Sequence, residues 1–142
     1  MAEYEKNYEL AELILQDYYD IISQAKYGFM YSKYLILIDA EKDSEKAVAR
    51  SLIEINRRAS PEIYDLLAWS YFKNDELKKA LKIAEEHVLG KTFEPEVLYH
   101  LGLIYKEAGE NSKSQELLEE ALESEFELGP MMSLEIKKAL KN

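Results

Sequence analysis

Between Pro61 and Ser124 one apolar pattern is written twice, the second copy displaced by 34 residues. Tyr64, Leu67, Ala68 and Tyr71 stand against Leu98, Leu101, Gly102 and Tyr105, and further on Ala80 and Ala84 stand against Ser114 and Leu118. Each copy opens on a proline, Pro61 or Pro95, and has a polar turn midway, at Asn74-Asp75 and at Ala108-Gly109-Glu110-Asn111. A recurrence of this length specifies a helix-turn-helix unit whose apolar face is completed by the next unit, so that units stack. The fold class that follows is all-α, with about eight helices.

Along the chain, Tyr4, Tyr8, Ala11, Leu15, Tyr18 and Ile22 form a helical stripe, widened by Leu10, Leu13, Ile14, Tyr19 and Ile21, which predicts an N-terminal helix within residues 1–27. A second helix is expected from Gly28 to about Ala40. Its run Leu35-Ile36-Leu37-Ile38 also suits a buried strand, and its place in the repeat decides for helix. Asp43 or Ser44 can cap the next helix, which turns Ala47, Ser51, Leu52 and Ile55 inward and ends on Arg57-Arg58, the charge that favours a helix C-terminus. Residues 28–60 thus read as a weaker copy, offset by 33 from the one at Pro61.

Ser60-Pro61-Glu62 supplies a hydroxyl cap, a proline at the first helical position and an acid in the first turn. That helix is expected to reach Lys73, with Asn74-Asp75 turning the chain and capping a helix to about Leu89, where Gly90 ends it. The copy 95–128 repeats this arrangement to about Ser124. After Leu128-Gly129-Pro130, residues 129–142 predict a capping helix with Met132, Ile136 and Leu140 inward and Ser133, Lys137 and Lys141 outward.

Composition narrows the functions. A chain of 142 residues with 47% hydrophobic residues is one domain able to bury a core. Its net charge of −10 disfavours nucleic acid and anionic membrane surfaces. Cysteine is absent, so disulfide and thiolate chemistry are excluded. No apolar run reaches the ~18 residues of a membrane span, and residues 1–24 lack the basic and then apolar order of a signal peptide. Met1-Ala2 is equally a native start or one added to an excised fragment, so a cytoplasmic location is the default and an extracytoplasmic one stays open for a fragment. His87 and His100 are the only histidines and lack metal-ligand spacing. They read as packing residues. No phosphate loop or nucleophile elbow occurs, and no carboxylate pair stands out among 28 acids, so neither enzymatic activity nor a cofactor is expected.

At these positions the chain resembles the tetratricopeptide repeat family. The copy from Pro95 keeps Leu98, Leu101-Gly102, Tyr105, the turn glycine Gly109, Leu118 and Ala121. The copy from Pro61 keeps Tyr64, Leu67, Ala68, Tyr71 and Ala80, but has Asp75 for the turn glycine and His87 where alanine is usual. The copy from Gly28 keeps Tyr31, Leu35, Ile38 and Ala47. The resemblance, best over 61–124, implies a right-handed α-α superhelix, a solenoid with a concave groove that binds other proteins without chemistry. Independently of the family, Ala68 and Gly102 are small enough to let two helices approach closely.

The family lines its groove with four positions of each first helix, which fall here on Phe29, Ser32, Ile36 and Asp39, then Glu62, Asp65, Trp69 and Phe72, then Glu96, Tyr99, Leu103 and Lys106. Asp65, Tyr99, Trp69 and Leu103 depart from the family's basic and asparagine-bearing clamp for C-terminal carboxylates. They offer instead an aromatic centre, Trp69 with Phe72 and Tyr99, framed by Glu62, Asp65 and Glu96. The resemblance therefore implies a non-catalytic scaffold for an apolar peptide or helix with basic flanks. The alternative is a structural module that docks within a larger chain or self-associates through its first helix. Monomer or weak homodimer is the expected state.

Overall fold

A computed structural model of the chain describes residues 12–13, 29–124 and 128–141, with residues 29–31 described in backbone only. The described residues are all-helical. They fall into two compact units, Met1–Leu35 and Ile36–Asn142. In the first unit, Glu12 and Leu13 are helical and Leu13 is exposed, not part of a buried stripe. The rest of the expected N-terminal helix lies outside the described residues.

Seven helices are described: α1 (Phe29–Lys42), α2 (Ser44–Arg57), α3 (Pro61–Lys73), α4 (Leu77–Ile83, continued by a π-helical turn, Ala84–Val88), α5 (Pro95–Glu107), α6 (Asn111–Leu122) and α7 (Pro130–Lys141). The run Leu35-Ile36-Leu37-Ile38 lies inside α1, so helix wins over strand there.

Side-chain caps fix two of the helix starts. The Asp43 carboxylate accepts from the Lys46 backbone N–H at 3.3 Å, and Ser60 Oγ accepts from that of Ile63 at 3.3 Å. Each satisfies one of the donors that a helix start leaves open. The turn after α3 differs from expectation. Asn74 and Asp75 form the turn but do not cap α4, which begins beyond Glu76 with no side-chain cap. Asn74 instead accepts from Ser44 Oγ at 2.7 Å and donates to Glu76 Oε2 at 2.9 Å, tying this turn to the start of α2. Asp75 carries φ of 59°, and Gly109, at the same place in the next copy, carries 85°. The repeat is thus written in the backbone as well as in the side chains.

Helix α2 corrects one inward face. Ala47, Ser51 and Glu54 are buried, whereas Leu52 is exposed and Ile55 half-buried. The row at steps of four and three faces the core, and Leu52 lies one residue, about 100°, round from it. Helix α3 contacts α2, α4, the π turn and α5, while α5 packs on α6 and α6 on α7. Ile63, Leu66, Leu101, Ile104, Leu118 and Ile136 are fully buried, and each such side chain contributes about 1.5–3 kcal/mol of burial. On α7, Ile136 faces inward as expected and Met132 and Leu140 are half-buried. Ser133, assigned to the wet face, is buried, because it falls one helical turn before Ile136 on the same side. The outward face carries Met131 and Leu134, both exposed.

Candidate functional site

Helices α3 and α5 open the two sequence copies at Pro61 and Pro95, and they are in contact within the second unit. Their sequences, PEIYDLLAWSYFK and PEVLYHLGLIYKE, each place one strongly polar side chain among apolar ones, Asp65 and His100. These two meet. His100 Nδ1 lies 2.7 Å from Asp65 Oδ2, with each side chain 3% exposed. An imidazole N–H donating to a carboxylate is a charge-assisted bond, and burial of either group alone would be costly. Sequence reading places Asp65 at the groove and His100 in the packing without pairing them. The available signal is that each is the only buried Asp, Glu, His, Lys or Arg of its helix, one repeat and one residue apart.

Aromatic rings close over the pair. Trp69 stacks on His100 with centroids 4.1 Å apart and 21° between planes. Phe72 and Tyr99 lie 5.4 Å and 6.0 Å from Trp69, so the expected aromatic centre is brought together. Lys73 Nζ sits 4.9 Å from the Trp69 ring centroid and 3.1 Å from Glu41 Oε1, setting an ion pair against one side of the cluster. Burial raises the pKa of the Tyr99 hydroxyl above its ordinary value, with further contributions from Glu135 and Glu41.

The other groove positions divide by depth. Ile36, Asp65, Trp69 and Tyr99 are buried, as is Asp39, which pairs with Arg50 at 3.5 Å. Glu62, Phe72, Leu103 and Lys106 are half-buried. Lys106 donates through Nζ to the Ala139 carbonyl near the end of α7, fixing that helix against α5. Phe29 opens α1, and its side chain lies outside the described residues. The aromatic centre is therefore an interior cluster with a partly open margin, because Trp69 fills the space between α3 and α5 over the buried pair.

Other buried polar groups serve packing. Ser51 Oγ donates to the Ala47 carbonyl and Ser70 Oγ to the Leu66 carbonyl, with 3.3 Å between the two hydroxyls across α2 and α3. His87, on the π turn, stacks on Tyr64 at 3.9 Å and 9°. A ring thus occupies the place where a small residue was expected. Among the described residues no group of three His, Asp or Glu side chains is placed to hold a metal ion, and no helix is long and apolar enough to cross a membrane. Neither a family model, nor a curated protein, nor a solved structure matches the chain.

Proposed function

We propose that the chain stacks its hairpins 28–60, 61–94 and 95–128 as a tetratricopeptide-like right-handed superhelix and works as a non-catalytic scaffold for a protein or peptide partner. The observation that carries this reading is the contact of α3 with α5, which sets Glu62, Phe72, Leu103 and Lys106 half-buried along neighbouring first helices. Apolar anchors at a concave, partly dry margin dominate binding energies, and acids beside them favour basic flanks on the ligand. The buried pair supports binding over catalysis, since Asp65 and His100 are sealed beneath Trp69, where no substrate atom reaches the imidazole. Peptides selected from a random library against the purified chain test the proposal. Selected binders should be apolar with Lys or Arg flanks and should lose affinity for Phe72→Ala/Leu103→Ala, with helicity unchanged. Binders indifferent to both substitutions would refute it.

A second reading, an assembly module, is favoured by Met131 and Leu134, which stand exposed on the outward face of α7. A concentration-dependent dimer that Met131→Ser/Leu134→Ser abolishes would support it.

A further inference from the structure

Away from the aromatic cluster, a shallow, open cleft of about 570 Å³ lies where the π turn meets the α5–α6 turn, lined among others by Glu85, Leu89, Tyr105, Gly109, Glu110 and Lys113. Tyr105 is 2% exposed, yet its hydroxyl has no hydrogen-bond partner among the described residues. Buried hydroxyls are nearly always paired, and this one belongs to a residue that lines the cleft. Burial first, then the nearby carboxylates of Glu85 and Glu110, push its pKa up to about 12. The hydroxyl therefore sits beside two acids that meet no cation within ion-pair distance among the described residues. Both acids are exposed at the rim, within reach of a ligand from solvent.

The chemistry selects the ligand. The first-turn amides of α6 would attract an anion, but Glu85 and Glu110 oppose one there. Two carboxylates and one lysine leave a net negative charge, and Leu89 with the Tyr105 ring gives an apolar wall. A long alkyl stem ending in a planar cation matches this set, because a guanidinium can bridge a carboxylate and still donate to a phenol oxygen. We propose that this cleft receives an arginine side chain of the bound partner, held by Glu85 and Glu110 over the Tyr105 hydroxyl. The site rests on the scaffold reading and would give the basic flank of the ligand a defined seat.

Amide NMR of the whole chain, titrated with N-acetyl-arginine amide and separately with inorganic phosphate, tests the site. Saturable shifts at Gly109, Glu110 and Ser112 are expected with the arginine probe and not with phosphate. Glu85→Gln/Glu110→Gln should weaken the probe by about tenfold or more, and Tyr105→Phe, which keeps the ring, should weaken it less. Shifts with phosphate alone, or arginine binding that survives the double glutamine variant, would overturn the site. Selected peptides that need Phe72 and Leu103 but not their arginines would overturn this site and leave the scaffold standing. A saturating arginine probe with no peptide selected would do the reverse.

Discussion

Gly102 and Leu118 stand so close that a Cβ built on Gly102 would lie 2.4 Å from Leu118 Cδ2 and 2.5 Å from its Cγ. The missing side chain is what lets α5 and α6 close into a hairpin, and Ser114 Oγ uses the same approach to donate to the Gly102 carbonyl at 2.7 Å. Leu118 is fully buried and cannot swing into solvent. Gly102→Ala should therefore destabilise by about 1–3 kcal/mol in urea unfolding despite alanine's better helix propensity. Adding Leu118→Val should recover part of the loss. A more stable single variant would show that the hairpin has room to open.

The Asp65–His100 bond predicts a pronounced non-additivity. Removing one member, as in His100→Leu, leaves a buried carboxylate without its main donor and should cost about 3–5 kcal/mol. Asp65→Leu/His100→Leu, which removes both, should cost less than the sum of the single variants. A double-mutant cycle in urea measures the coupling, and additive costs would mean that the pair holds nothing together.

The helices from α1 onward were legible because spacing, prolines and turn residues repeat, and the structure places them within a few residues of those expectations, with α3 packed on α4 and α5 on α6. Depth was less legible. Trp69, Asp65 and Tyr99 occupy positions that a family resemblance assigns to an open groove, yet burial depends on which neighbours cover a face, and one strand of sequence does not state that. Trp69→Ala should accordingly act as a core truncation, lowering stability by about 3–5 kcal/mol, and near-wild-type stability would return the residue to the surface. Ser133 and Leu52 were misassigned for a simpler reason: in short amphipathic helices a one-residue change of phase exchanges a buried position for an exposed one.

Asp75 occupies the left-handed region where the next repeat has Gly109. Aspartate tolerates this conformation better than most residues, but the Cβ still meets the following carbonyl. Asp75→Gly should be neutral to stabilising, by at most about 1 kcal/mol, because lost strain is offset by the greater freedom of glycine in the unfolded chain. Asp75→Val should destabilise by about 1–2 kcal/mol. Thermal unfolding of the two variants decides the matter, and an inverted order would mean that the turn takes another conformation in solution.

Tyr105 ties stability to alkaline pH. An unfolded tyrosine ionises near pH ~10, while burial together with Glu85 and Glu110 pushes the folded group up to about 12. The folded state therefore keeps the proton more tightly, so stability is at its full value below the unfolded pKa and falls as pH rises through the window between the two. Tyr99, whose pKa burial also raises, adds a decline of the same sign. Tyr105→Phe should remove the Tyr105 share without a cost at neutral pH, because the hydroxyl it deletes has no partner among the described residues to lose. Urea midpoints from about pH 8 to about pH 11 should fall less steeply for Tyr105→Phe than for the wild type. Parallel slopes would place the hydroxyl in water, away from Glu85 and Glu110.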